Sequence, residues 1–289
     1  MRICALTMVY QDYWAISQWY THYARHLGAE NLFIIAHGRD DKIAELCPNA
    51  HVIVAPREDL TKFDQRRGRM LNAVQDELGD IFDWVLRTDA DELICVDPTR
   101  FGSLAEMLGS TTAPAVFALG LNLFELEGDT ELITAQPALN ARANAVFSGH
   151  YSKAFAVRDR IALMRHGVKI AKADAPHFPF ELPFGVYLVH LKFANRAALA
   201  IANQHRMEIA SGSVRGLPGT AWKHADQDAN QFFSDTIEKP ILDWAAGSKE
   251  AYKMIGREPG VSYLKDGLIR ARSLKFPFRT VLPDWFKTA

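Results

Sequence analysis

Along the first hundred residues, short and mostly apolar runs alternate with longer stretches in which apolar residues recur every three or four positions. ICALTMV at 3–9, LFIIA at 32–36, HVIV at 51–54 and WVLRT at 84–88 are of the first kind. Runs of this length, broken by polar residues on both sides, are what strands buried on both faces look like. Between them, Ile16, Trp19, Tyr20, Tyr23 and Leu27 have helical spacing and stop at Gly28. Phe63, Met70, Leu71, Val74 and Leu78 mark a second helix that ends at Gly79. The alternation predicts an α/β fold, a Rossmann-type, mostly parallel sheet flanked by helices. Ligands of such sheets bind beyond the carboxyl ends of the strands.

Further on the pattern loosens. Leu104, Met107 and Leu108 suggest a short helix, and residues 115–119, 152–157 and 186–193 read as strands. Residues 120–150 have no clear period. Asn195 is placed to cap a helix running to about Ala210. The stretch SGSVRGLPGTAWKHADQD (211–228) reads as a surface connection or a lid. The expected division is a nucleotide-binding and catalytic unit over 1–212, with a loop and C-terminal helical extension over 213–289 packed on it.

Composition narrows the function class. With 48% apolar and 23% charged residues in 289, the chain can build a sizeable core. A net charge of -1 gives it no electrostatic reason to seek nucleic acid. Three cysteines without C-x-x-C spacing do not read as a disulfide framework. The N-terminal MRICALTMVY does not read as a signal peptide, and no apolar run approaches the ~18 residues of a membrane span. A cytoplasmic location is therefore expected. Towards the C-terminus, Lys265, Arg270, Arg272, Lys275, Arg279 and Lys287 are interleaved with Phe276, Phe278, Trp285 and Phe286. Such a segment either packs its aromatics on the main unit or makes peripheral contact with an anionic membrane face.

The chemistry concentrates in DWVLRTDADELI (83–94), where a strand runs into Asp89, Asp91 and Glu92. Crowded carboxylates disfavour one another's ionisation unless a cation sits between them. A divalent ion carrying a diphosphate would relieve the repulsion, and Mg2+ or Mn2+ suits hard oxygen ligands. An EF-hand is excluded by Leu93 and Ile94, where further oxygen ligands and a glycine would be needed. A phosphohydrolase using Asp89 as nucleophile departs from its usual pattern at Leu93. Neither G-x-G-x-x-G nor a P-loop is present.

The segment DWVLRTDADELI closely resembles the strand and D-x-D motif of GT-A-fold glycosyltransferases, especially their family-2-like branch. MVYQDYWAISQWYTHYARHLGAENLFIIAHGRDD (8–41) resembles the opening of that branch, and RRGRMLNAV (66–74) the helix ahead of the motif. VYLVHLKF (186–193) is similar to the later strand whose histidine completes a metal site. The resemblance covers residues 3–95 well and 150–210 loosely. It implies a metal-dependent, hexosyltransferase-type glycosyltransferase. Such an enzyme moves a sugar from a UDP- or GDP-sugar to a hydroxyl of a glycan, lipid-linked or small-molecule acceptor, as in polysaccharide biosynthesis.

By the same resemblance Asp91 binds the metal, Asp89 reaches it through water or touches the ribose, and His190 is the third ligand. Tyr10, Gln11, Asp40 and Arg57 follow the first three strands and are expected around the base and ribose. Arg69 and Asn72 are expected near the diphosphate, with Lys192, which shares a strand face with His190, as a further cation. The Glu-Asp pair that supplies the base in many family-2 enzymes is not present. Glu125 and Asp129, in LFELEGD, are the nearest candidates, followed by Asp226 and Asp228. His150, His166 and His177 are candidates for the acceptor site. Two other functions stay open: the phosphohydrolase, and a non-catalytic relative that binds nucleotide sugar or glycan without turnover.

Overall fold

A computed structural model describes the chain except residues 134–135, 172, 214, 219, 258–260 and 265–266. Lys265, counted above among the basic C-terminal residues, therefore lies outside the described residues. The N-terminal part follows the predicted alternation: β1 (Ile3–Val9), α1 (Tyr13–Leu27), β2 (Leu32–His37), α2 (Asp41–Leu46), β3 (His51–Ala55), α3 (Phe63–Gly79) and β4 (Trp84–Arg87). Strands β3, β2, β1 and β4 lie side by side in that order and are parallel. Every residue of β1 is buried, as a central strand covered on both faces requires. Helix α1 begins where Asp12 accepts the Ala15 N–H (3.2 Å) and ends at Gly28, whose φ of 85° stops the spiral. Its buried face, Ile16, Trp19 and Tyr23, packs on the sheet core.

The remaining elements are β5 (Glu92–Val96), α4 (Leu104–Ser110), β6 (Ala115–Phe117), β7 (Leu119–Phe124), α5 (Ala138–Ala141), β8 (Asn144–Phe147), β9 (Ala154–Val157), β10 (Ala162–Met164), β11 (Gly167–Lys169), β12 (Val186–Phe193), α6 (Arg196–Ala210), α7 (Thr220–Lys223), α8 (Ala225–Ile237), β13 (Ile241–Leu242), α9 (Trp244–Arg257), β14 (Val261–Leu264), β15 (Leu268–Ala271) and β16 (Arg279–Val281). Antiparallel β9 and β6 extend the first sheet beyond β4. A second sheet runs β13-β16-β8-β7-β12-β5, and a third, antiparallel one β10-β11-β15-β14. The α/β architecture with a parallel sheet flanked by helices is thus present.

Two expectations need correction. The stretch 211–228 is not all loop: α7 and the first turn of α8 lie in it. Asp226 and Asp228 fall in that first turn, where the helix dipole favours acidic side chains. The C-terminal extension is not purely helical, because β13 and β16 enter the second sheet and β14 and β15 the third. These strands are two to four residues long, and β13, β15 and β16 take distant partners, so no local period announces them. The C-terminal aromatics follow the first of the two readings given for them and pack on the main unit. Phe276, Phe278 and Phe286 are buried in the main core, and Phe147 packs against the first two. All three cysteines are free and buried. Among the described residues, no helix is long and apolar enough to cross a membrane.

Candidate functional site

The acidic motif is the turn between β4 and β5, and helix α1 holds it from behind. Trp19 donates its indole N–H to Thr88 Oγ1 (2.8 Å), one residue before the turn. The Tyr23 hydroxyl accepts the Ile94 N–H (3.1 Å) and donates to the Glu92 carbonyl (3.3 Å). Glu92 itself is fully buried, and its Oε2 accepts the Asp89 N–H at 2.8 Å, closing the turn. Its side chain does not line the site's cavity.

Two cations compensate Asp89. Arg67 Nη2 donates to Oδ1 at 2.5 Å, and Lys153 Nζ lies 3.1 Å from Oδ2 and 2.7 Å from Glu92 Oε2. Lys153 arrives through strand pairing: β9 runs antiparallel to β4 with Leu86 opposite Ala156 and Val85 opposite Val157. Continuing that register three residues sets Lys153 across from Asp89. Burial pushes the Asp89 pKa up, but Lys153 and Arg67 outweigh it and hold the carboxyl well below its usual range. Burial and the nearby charges of Asp89 and Asp91 push Glu92 up to about 7, against the pull of Lys153.

Asp91 faces a different partner. Its Oδ2 lies 3.2 Å from His190 Nε2. His190 sits mid-strand on β12, opposite Asn122 of the neighbouring β7, and its Nδ1 lies 2.7 Å from Asn122 Oδ1. The Tyr151 ring stacks on the imidazole with centroids 3.7 Å apart. Burial lowers the His190 pKa, more than Asp91 raises it, so the ring is neutral near pH 7. When the Asn122 oxygen takes the Nδ1–H, Nε2 turns its lone pair towards the Asp91 carboxylate. Two electron-pair donors at that distance repel unless a proton or a metal ion lies between them. Adjacent ligands about 2.1 Å from one ion are themselves about 3 Å apart. The pair therefore fits a divalent metal, with the imidazole oriented from its far nitrogen as metal-binding histidines are.

Of the three expected ligands, Asp91 and His190 face each other. Asp89 stands apart from them, with a protein cation on each of its oxygens. Among the described residues, no cluster of three or more potential ligands exists. A hard cation that keeps waters and takes substrate phosphates needs no more than one or two protein carboxylates.

These groups line a cavity of about 480 Å³ at the carboxyl ends of β1, β2 and β4, where the sheet topology places it. Tyr10, after β1, lies under Arg57 with the guanidinium carbon 3.4 Å from the ring centre. Arg57 donates to His37 Nδ1 (2.9 Å). Burial, then the charge of Arg57, brings His37 down to about 4, so it accepts as a neutral ring. Lys192 and Arg206 form another part of the wall. Burial and the neighbouring Arg206 lower Lys192 to about 8. His150 and His166 line the cavity beside Tyr151, their rings 4.4 Å apart.

Of the expected site residues, the fold gathers Tyr10, Arg57, Asp89, Asp91, His190 and Lys192 around this cavity. It does not bring Gln11, Asp40, Arg69 or Asn72 to its wall. Asp40 caps α2 and accepts the Tyr13 hydroxyl. Asn72 Oδ1 accepts from Arg87 (2.5 Å) and from the Leu163 N–H (3.1 Å), and Arg69 is exposed on α3. Glu125 and Asp129, the expected bases, are held by the buried Arg142 at 3.2 and 3.6 Å and do not line the cavity. Asp226 accepts from Asn203 (2.9 Å), whereas Asp228 is on the cavity wall.

The fold adds residues not expected from the sequence. Arg67 is one, although the four-residue spacing Phe63, Arg67, Leu71, Gln75 places it on the buried face of α3. Asn122 is another: a polar residue inside LGLNLF needs a partner. Lys153 and Tyr151 carry no local signal.

No protein-family model matches this chain, and no curated protein matches it in sequence. Among solved structures it is similar to TarS of S. aureus, at 11% identity and a TM-score of 0.39, over 81% of this chain and 43% of that one. It is also similar to mannose-1-phosphate geranyltransferase from Thermus thermophilus, at 12% identity and a TM-score of 0.31, over 99% and 77%. A third is a 4-diphosphocytidyl-2C-methyl-D-erythritol synthase, at 16% identity and a TM-score of 0.28, over 47% and 66%. The chain thus spans about two thirds of the synthase and under half of TarS.

Proposed function

We propose that this chain is a metal-dependent glycosyltransferase of the GT-A type, moving a sugar from a nucleoside-diphosphate donor to a hydroxyl acceptor. The observation that carries the reading is the Asp91–His190 pair. Its 3.2 Å separation, its orientation by Asn122 and its place in a cavity beyond parallel strands suit a divalent ion bound together with a diphosphate. When bound, the ion supplies Lewis-acid stabilisation of the departing diphosphate. Tyr10 and Arg57 offer a flat face for the nucleobase. Lys192 and Arg206 contribute positive charge where a leaving group would gather negative charge. Lys192, with its lowered pKa, is kept charged by a diphosphate beside it. The acceptor, a hydroxyl of a glycan or lipid-linked sugar, belongs at the His150–His166 side.

The competing phosphohydrolase requires Asp89 to attack a phosphorus atom. Both Asp89 oxygens are engaged by Arg67 and Lys153, and a carboxylate so neutralised is a poor nucleophile. The transferase is tested by titrating nucleoside diphosphates into the protein with and without Mn2+. Wild-type protein should bind one of them tightly in the presence of Mn2+ and weakly in its absence. Asp91→Ala should bind weakly in both. Failure of every nucleoside diphosphate to bind wild-type protein, or equal Mn2+ dependence in the variant, would refute the reading.

A further inference from the structure

We infer that Asp89 is a positioning residue rather than a metal or ribose ligand, and that the group it positions, the Arg67 guanidinium, is the protein's own anion-binding contact for the donor diphosphate. The inference deepens the transferase reading and rests on it.

The geometry separates the two aspartates of the motif. Asp91 has an uncharged imidazole before it, oriented by Asn122. Asp89 stands in a closed ring of charge: Oδ1 to Arg67, Oδ2 to Lys153, Lys153 on to Glu92, and Glu92 back to the Asp89 N–H. Two cations and two carboxyl groups face one another in it. A metal ion bound to Asp89 would have to displace a protein cation from one of its oxygens. The ring is also graded in depth. The side chains of Glu92 and Lys153 are 0% and 8% exposed, while that of Arg67 is 31% exposed and on the cavity wall. Only the arginine among the ring's cations is therefore open to a ligand.

The chemistry of that arginine suits the part. A guanidinium presents five N–H donors in a fixed fork that matches phosphate oxygens. Among the described residues, its one hydrogen-bond acceptor is Asp89, met through Nη2. The other donors remain for a ligand. Asp89 fixes the plane of the fork, and Lys153 fixes Asp89 from behind, so the fork is ordered before the ligand arrives.

The test uses full-length wild-type protein with Arg67→Gln, Arg67→Lys, Asp89→Asn and Asp91→Asn. Circular dichroism first confirms that each is folded. Affinities are then measured by calorimetry for the nucleoside diphosphate that wild type binds, for the matching nucleoside, and for Mn2+ by its electron paramagnetic resonance signal. Arg67→Gln should weaken the diphosphate about ten- to a hundredfold and leave the nucleoside unchanged, with Arg67→Lys recovering only part. Asp89→Asn should weaken the diphosphate similarly while keeping Mn2+ affinity within about twofold, and Asp91→Asn should lose Mn2+. The Arg67→Gln/Asp89→Asn double variant should bind about as well as the worse single one, since both changes remove one contact. The inference is overturned if Asp89→Asn loses Mn2+ as Asp91→Asn does, or if Arg67→Gln binds the diphosphate like wild type. Those outcomes leave the transferase reading standing, whereas a wild-type protein that binds no nucleoside diphosphate removes both.

Discussion

Lys153 shows what a single charge does inside this protein. It is buried against Glu92, which has no exposure, and against Asp89. Removing one partner of a buried ionic group strands the other, at a cost of about 3–5 kcal/mol. Lys153→Met should therefore lower the urea-unfolding free energy by about that amount, and adding Glu92→Gln should restore part of it. A single variant as stable as wild type would show that the ring is not held by its charges. His22 gives the pH counterpart. Burial, then His26, lowers it to about 3, and its Nε2 donates to the Ile94 carbonyl at 2.9 Å. The unfolded chain takes up this proton near pH 6.5 and the native chain does not, so stability falls as pH drops from 6.5 towards 3. Asp12, raised to about 6, and Glu92 act in the opposite sense, because the folded state binds their protons first. The comparison with His22→Gln cancels those contributions. Between pH 6.5 and 4.5, wild type should lose up to about 2.7 kcal/mol more than the variant, as read from denaturation curves at the two pH values. Residues of this kind are poorly legible in sequence. Asp91 and His190 stand out by motif, while Lys153 matters only through a strand pairing that brings together positions 64 apart.

Strand β7 is the element on which the site is assembled, and Gly120 is the reason it fits. A Cβ there would lie 2.2 Å from the Tyr151 carbonyl carbon and 2.5 Å from the Ser152 nitrogen. The segment 148–153 thus rests directly on the strand backbone, joined by Ser148 N–H to the Gly120 carbonyl (2.8 Å) and by Gly120 N–H to Ser152 Oγ (2.9 Å). That contact fixes Tyr151 over His190 and Lys153 beside Asp89. Gly120→Ala should cost about 2 kcal/mol or more and weaken Mn2+-dependent nucleotide binding, although the residue touches no ligand. Gly68, on α3, has open space around its Cβ position, so Gly68→Ala should instead stabilise by up to about 1 kcal/mol. Thermal melts of the two variants should move in opposite directions. Elements with a local signature were readable: β1 to β4, α1, α3, β12 and α6 all fall where spacing and caps place them. β7 was not, since a strand buried on both faces has no alternation and a six-residue, mostly apolar run does not choose between strand and helix. The hairpin β10–β11 hides for another reason. Its turn puts Arg165 and His166 at φ 47° and 67°, a conformation usually announced by glycine or asparagine.

At the scale of the whole molecule, the C-terminal strands tie the site to the end of the chain. β16 pairs with β8, β8 with β7, and β7 with β12, which carries His190. Phe276, Phe278 and Phe286 go into the same core. Burying a Phe side chain contributes about 1.5–3 kcal/mol, so three of them match much of the ~5–15 kcal/mol that holds a domain folded. A chain ending before residue 268 should therefore fail to give a cooperative melt. A dispensable helical appendage would instead leave the melt of residues 1–267 intact. One cooperative unit also means that a ligand bound only by the native state raises the melting point of everything. At a nucleoside-diphosphate concentration ~100 times its dissociation constant the gain is about 2.7 kcal/mol. Unfolding 289 residues carries an entropy of about 0.6 kcal/mol/K, so the melt should rise by about 4–5 °C with Mn2+ present. Without Mn2+, or in Asp91→Ala, the rise should fall to a small part of that. A shift that ignores the metal would place the phosphates on the arginines and lysines alone, and would remove the Asp91–His190 pair from the nucleotide's binding.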